Sequence, residues 1–92
     1  MDVVEIKVTG RVQGVGFRYF TVQAARELGL VGWVKNMPDG SVLTRAAGSA
    51  QAMEAFRQRL RQGPSFGRTD ALAETPLSAE DAAGFESFEV TY

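Results

Sequence analysis

Apolar and polar positions alternate along the start of the chain, Val3 to Thr9, with Val4, Ile6 and Val8 on one face and the polar residues Glu5, Lys7 and Thr9 on the other. A period of two with β-branched residues predicts a strand that buries one face. From Phe17 to Leu28 the apolar spacing changes to three and four residues, which predicts an amphipathic helix. Ser49 is a favourable helix N-cap, and a second helical stripe follows it until Gly63-Pro64, a sequence that ends helices.

The rest of the pattern predicts further strands, at Val31–Met37, Ser41–Ala47, Thr69–Thr75 and Phe85–Tyr92. Pro-Asp-Gly between the first two of these predicts a tight turn and therefore a hairpin, and polar residues 76–84 separate the last two. The order β-α-β-β-α-β predicts an α+β protein, the ferredoxin-like sandwich, with an antiparallel sheet and two helices on one face. A length of 92 residues predicts one domain, residues 1–92.

The amino-acid composition excludes several kinds of catalysis and binding. A formal net charge of −1 gives no general attraction to nucleic acid or to an anionic membrane. The chain has no cysteine and no histidine, which excludes disulfides, thiolate nucleophiles and imidazole bases, and removes the usual zinc and copper ligands. We therefore expect neither a metal nor a cofactor.

The N-terminal sequence has too short an apolar run for a secretory signal. No stretch approaches the roughly 18–20 apolar residues of a membrane span. These features predict a soluble cytoplasmic protein without membrane or nucleic-acid partners, and we expect a monomer.

The sequence GRVQGVGFRYF, Gly10 to Phe20, joins the first strand to the first helix and holds three glycines within seven residues. Its Arg18 falls in the first helical turn, where a cation opposes the positive end of the helix dipole. Glycines let successive N–H groups point inward and bind an anion, and the first free N–H groups of the helix add to such a site. A bound phosphate would explain Arg18, because guanidinium grips two phosphate oxygens at once.

Structural explanations of the same loop stay open from the residues alone. It could be a simple tight connection, with Arg18 paired to Glu27 or Asp2 and Arg11 merely solvated. The loop is not a dinucleotide fingerprint, because Tyr19 stands where the last glycine of G-x-G-x-x-G would be. Nor is it the P-loop of nucleotide hydrolases, because it ends in Gly16-Phe17-Arg18 rather than in Gly-Lys-Ser/Thr.

Asn36 is the second candidate, at the end of a strand and just before a turn. Its amide could stabilise that turn, which is the more frequent role of asparagine there. Because an amide both donates and accepts hydrogen bonds, Asn36 could instead hold a water in line with a bound phosphorus. Trp33, in the same strand, is expected to be a packed aromatic.

The combination of GRVQGVGFR with LGLVGWVKNMPDGSV resembles the acylphosphatase family. The resemblance covers nearly the whole chain, including RQGP after the second helix and the closing FEVTY. It implies the ferredoxin-like sandwich and a metal-independent hydrolase that splits acyl phosphates into a carboxylate and inorganic phosphate. Inorganic phosphate or sulfate would then be the anion that the loop binds.

The resemblance also implies roles for individual residues. Arg18 matches the phosphate-binding arginine of the family, and Asn36 matches the asparagine that positions the attacking water. The phosphate cradle corresponds to the backbone of six successive residues: Gln13, Gly14, Val15, Gly16, Phe17 and Arg18. Three features depart from the usual pattern without touching the two catalytic positions, namely Ala47, Met37 and the sequence GPSFGR.

Two other classes of protein compete with this reading. Ferredoxin-like sheets also bind RNA, but through aromatic residues on a central strand, and SVLTRAA has none. The chain could also be the acylphosphatase-like domain of a larger carbamoyl-transfer enzyme. Because it starts at Met1 and closes on a strand without a linker, a free-standing enzyme is expected.

Overall fold

A computed structural model describes the whole chain, Met1 to Tyr92. It contains five strands and two α-helices, and a short 3-10 helix at Ala79–Ala82. The regular elements, in chain order, are β1 (Asp2–Arg11), α1 (Phe17–Glu27), β2 (Val31–Asn36), β3 (Val42–Gly48), α2 (Ala50–Gln62), β4 (Arg68–Pro76) and β5 (Phe88–Val90).

The strands form one sheet in the order β4-β1-β3-β2-β5. The β1–β4, β1–β3 and β2–β3 pairs are antiparallel, as the sequence predicts, whereas β2 and β5 are parallel. The fifth strand is also shorter than the predicted Phe85–Tyr92. The ferredoxin-like α+β fold is therefore confirmed, with one parallel edge added to the expected antiparallel sheet.

The parallel edge follows from the path of residues 77–87, which cross the sheet from the β4 side to the β2 side. Leu77 N–H donates to Val3 O on β1 (2.8 Å), and Gly32 N–H on β2 donates to Ser87 O (2.9 Å). Val3 and Ala47, a pair on the face opposite the helices, are buried at this end of the sheet. The crossing segment reverses the chain, so β5 enters at the far edge running with β2.

The core lies between the helices and one face of the sheet, as the alternation predicts. Val4, Ile6 and Val8 of β1 are each less than 5% exposed. Phe56 of α2 and Phe88 of β5 pack edge to face, with ring centroids 5.9 Å apart. The packing of Phe88 on Phe56 holds β5 against α2, and Arg26 Nε of α1 donates to Phe88 O (3.1 Å), so both helices set the position of the residues that follow β5.

The opposite face of the sheet carries polar residues around Trp33. This side chain is half-buried, with Lys35 Nζ 5.2 Å and Arg45 Cζ 5.8 Å from the ring centroid. Arg45 also forms an ion pair with Glu5 at 3.0 Å. Trp33 is thus held by neighbouring side chains on the same face.

Candidate phosphate-binding site

The loop between β1 and α1 depends on two glycines in the left-handed region. Gly14 has φ +76° and Gly16 has φ +79°, and a Cβ on either would meet no atom within 4 Å. The backbone conformation, rather than lack of space, therefore requires glycine at both positions. Gly16 is the N-cap of α1, and because glycine has no side chain this helix starts without a side-chain cap.

The N–H groups of this loop and of the first helical turn all lack a protein acceptor. The first backbone bond of α1 is from Phe20 N–H to Gly16 O (3.0 Å), and no N–H group from Gln13 to Tyr19 donates within the protein. The first turn also has no acidic residue to offset the helix dipole. This end of α1 is therefore a concentration of unused donors and positive potential.

Arg18 adds a full positive charge to the same region. It is half-buried and forms no ion pair, so the alternatives in which it pairs with Glu27 or Asp2 are wrong. Glu27 instead accepts from Arg59 at 2.8 Å. The Arg18 guanidinium lies over the ring of Tyr92, with Cζ 5.6 Å from its centroid, which leaves its donors free.

Asn36 points to the helix side of the sheet, because β2 alternates and Gly32 and Val34 are buried on that side. Its Oδ1 atom is buried and has no hydrogen-bond partner in the protein. The turn that follows does not use Asn36. Asp39 accepts there from Ser41 N–H (3.0 Å) and Ser41 Oγ (2.5 Å). The turn-stabilising alternative is therefore wrong, and the Asn36 amide lies at a cavity without a structural task.

The Gln13 side chain has a role that the sequence does not reveal. Its Nε2 donates to Met37 O and to Ser41 O, both at 2.8 Å. These two carbonyls lie at the hairpin immediately after Asn36, so Gln13 ties the loop to the segment that carries Asn36. The only signal of this contact in the sequence is an amide side chain between the first strand and the first glycine of the loop.

A cavity of about 640 Å³ brings the candidate residues together. Gly14, Gly16, Phe17, Arg18 and Asn36 all line it. Gln13 and Val15, the other two members of the expected cradle, do not line it. An anion in this cavity would lie against Gly14, Gly16 and Phe17, whose N–H groups are unused, and against Arg18 and Asn36.

The structure offers neither a metal cluster nor a membrane-spanning helix. Nowhere do three or more histidine, cysteine, aspartate or glutamate side chains gather as metal ligands would. Neither α-helix has the length and apolar character that crossing a membrane requires.

Comparison with known proteins agrees on one family. A sequence model of the acylphosphatase family matches residues 4–90. An acylphosphatase of Archaeoglobus fulgidus is 44% identical over 92 residues, which cover 100% of both chains. The crystal structure of acylphosphatase from Bacillus subtilis superposes with a TM-score of 0.94 at 37% identity, again over 100% of both chains.

The fold also recurs inside a larger protein. The crystal structure of T. kodakarensis HypF matches with a TM-score of 0.85 and 30% identity, covering 100% of this chain and 12% of that one.

The fold and the glycine loop before its first helix thus define a ferredoxin-like α+β protein with a candidate anion site. With the matches above, the chain belongs to the acylphosphatase family, and the enzyme class expected from the sequence is confirmed.

Proposed function

We propose that the chain hydrolyses the carboxyl–phosphate bond of small acyl phosphates by in-line attack of a water, without a metal. One observation supports this most directly. One cavity is lined by Arg18, by Asn36 with its unpartnered Oδ1, and by three loop residues whose N–H groups have no acceptor in the protein, Gly14, Gly16 and Phe17.

The loop and Arg18 hold the phosphoryl group in this proposal. Charge in the transition state is spread over three phosphoryl oxygens, and fixed donors stabilise it without reorganising. The N–H groups between Gly14 and Phe17 supply such donors from the backbone. Arg18 grips two oxygens in a bidentate manner and neutralises part of the charge.

Asn36 orients the attacking water. Its buried Oδ1 accepts a hydrogen bond from the water, which satisfies an atom that otherwise has no partner. Holding the water near its line of attack removes an entropic part of the barrier. We propose that an oxygen of the substrate's own phosphate takes the proton of this water, because no histidine is present as a general base.

The leaving group is a carboxylate, which departs without protonation by a general acid. The reaction therefore asks the protein for positioning and charge stabilisation alone, and the residues of the cavity provide both. Inorganic phosphate, the product, and sulfate, its analogue, should bind the same cradle. We propose that the enzyme acts as a monomer in the cytoplasm and needs no nucleic acid or membrane.

Substituting Arg18 tests the phosphate grip. Arg18→Ala should abolish phosphate release from benzoyl phosphate and weaken inorganic phosphate binding measured by calorimetry. Arg18→Lys should also be poor, because an ammonium cannot bind two oxygens side by side. Arg61→Ala is the matched control, since Arg61 is exposed on α2 and forms no ion pair. Full activity in Arg18→Ala would refute the assignment.

Substituting Asn36 tests the water position. Asn36→Ala should lower kcat by about 100-fold or more, on the scale of other positioning and polar catalytic groups, and change phosphate affinity far less. A variant that loses phosphate binding and kcat in parallel would instead place Asn36 in the cradle.

Benzoyl phosphate hydrolysis that persists in EDTA supports the metal-free reaction, and its loss, restored by a divalent cation, would overturn it.

A further inference from the structure

The cavity of about 640 Å³ extends well beyond the phosphate cradle, along the groove between α1 and β5. Arg18, Val22 and Arg26 all line it and follow one another at intervals of four residues, so they share one face of α1. Val90 of β5 forms part of the opposite wall. The groove therefore has a cation at each end, with Val22 and Val90 between them and Gln23 also in its lining.

Arg26 is held in place by one hydrogen bond, while its other donors are free. Its Nε donates to the backbone oxygen of Phe88 (3.1 Å), which fixes the guanidinium beside β5. Its two Nη groups have no acceptor in the protein, and Arg26 forms no ion pair. Arg11 and Arg61 also form no ion pair but do not line this cavity, and the remaining arginines are paired with carboxylates: Arg45, Arg57, Arg59 and Arg68. An anion at this end of the groove would use the free face of Arg26.

Glu89 is the only acidic residue that lines this cavity. In β5 it alternates with Phe88 and Val90, so its side chain points to the other face of the sheet. There it stands opposite Trp33 in the strand register and lines a separate cavity with it. Glu89 therefore does not neutralise Arg26 within the groove.

We propose that Arg26 is a second anion-binding site, which selects acyl phosphates whose acyl group ends in a carboxylate. This inference rests on the proposed hydrolysis, because the first anion is the phosphoryl group at Arg18. Arg18 and Arg26 are eight positions apart, or about 12 Å along the helix axis. An extended acyl group such as a para-substituted benzoyl ring has a length of the same order, so it can place one anion at each guanidinium group. The ring packs between Val22 and Val90.

Arg26→Gln separates the two functions of the side chain. Glutamine Nε2 is as far along its side chain as arginine Nε, so it can still donate to Phe88 O, while the charge and the Nη groups are lost. Arg61→Gln makes the same change of charge on α2, outside the cavity. The substrates are benzoyl phosphate and 4-carboxybenzoyl phosphate, which differ only in the distal carboxylate and cannot cyclise.

The readout is the ratio of kcat/KM for the two substrates. The native chain and Arg61→Gln should prefer 4-carboxybenzoyl phosphate by about tenfold, through KM, as expected for a hydrogen-bonded charge. Arg26→Gln should lose this preference, whatever happens to its absolute rate. An absent preference in the native chain, or an unchanged ratio in Arg26→Gln, would overturn the second site.

A binding measurement keeps this inference distinct from the proposed reaction. By calorimetry, the native chain should bind 4-(phosphonomethyl)benzoic acid about tenfold more tightly than benzylphosphonic acid. Arg26→Gln should bind the two phosphonates with equal affinity. Failure of both acyl phosphates to react would refute the hydrolysis alone, because the phosphonate pair still tests the second anion. Equal affinities for both phosphonates in the native chain would refute Arg26 alone.

Discussion

Gln13→Ala should uncouple the phosphate loop from the hairpin that carries Asn36. The substitution removes the two hydrogen bonds from Nε2 to Met37 O and Ser41 O, both 2.8 Å long. It leaves the backbone of the loop intact, since Gln13 has no positive φ. The expected result is a loss of stability together with a loss of water positioning.

The cost in stability follows from what the two carbonyls retain. Met37 O still accepts from Gly40 N–H (3.1 Å), and Ser41 O still accepts from Met37 N–H (2.9 Å). Neither acceptor is orphaned, so only the net value of two hydrogen bonds is lost, about 1–2 kcal/mol in total. For a domain of this size the Tm should fall by roughly 5–15 °C.

Thermal unfolding by circular dichroism and steady-state hydrolysis of benzoyl phosphate test this together. Gln58→Ala is the control, because Gln58 is exposed on α2 and makes no side-chain hydrogen bond. In Gln13→Ala, kcat should fall more than phosphate affinity, since the cradle donors belong to the backbone. A Tm equal to that of Gln58→Ala, with unchanged kcat, would refute the coupling.

Three further predictions concern two glycines and the pH dependence of stability. Gly16→Ala should cost about 1–2 kcal/mol and weaken phosphate binding, because its φ of +79° is strained for alanine. Gly32→Ala should prevent stable folding outright, because its Cβ would overlap Arg45 O; similar Tm values for the two variants, by circular dichroism, would contradict this. The Lys7 ammonium 2.7 Å away, together with Ser41, holds the pKa of Asp39 well below its usual range. Because the pKa of Asp39 is lowered in the folded state, its ionised carboxylate contributes its full stabilisation above the unfolded pKa of about 4, and this contribution declines as pH falls from there toward the folded pKa. Asp39→Asn should therefore lower Tm at pH 7, and by less at pH 3. Both groups are about half exposed, so the effect should be small and shrink in high salt; a Tm difference that grows on acidification would disprove it.

The fold was predictable where one periodicity decided the structure. Alternation at Val4, Ile6 and Val8 placed β1 correctly, and helical spacing placed both helices. The parallel β2–β5 edge was not predictable, because alternation near Phe88 is the same for either strand direction. Its direction depends on residues 77–87 crossing the sheet, which no local pattern encodes.

The candidate site divides in the same way. Arg18 and Asn36 stood out because each occupies an unusual place in a local pattern, a cation at a helix start and an amide before a turn. Gln13 and Arg26 did not, because their contacts join residues 24 to 62 positions apart. Long-range contacts of single side chains leave no periodic trace in a sequence.

The N-termini of the two helices differ in a way that favours an anion site at the start of α1. α2 follows the usual rules, with Ser49 Oγ accepting from Ala52 N–H (3.1 Å) at its start and Arg59 and Arg61 in its last turn. α1 departs from them at its start, with a left-handed glycine as cap, no acidic residue and Arg18 in the first turn. The stabilising features at the start of α2 are therefore available to this chain but are absent at the start of α1. The phosphate proposed for the loop would supply both the acceptor and the negative charge that the start of α1 lacks, and it would account for Arg18 in the first turn.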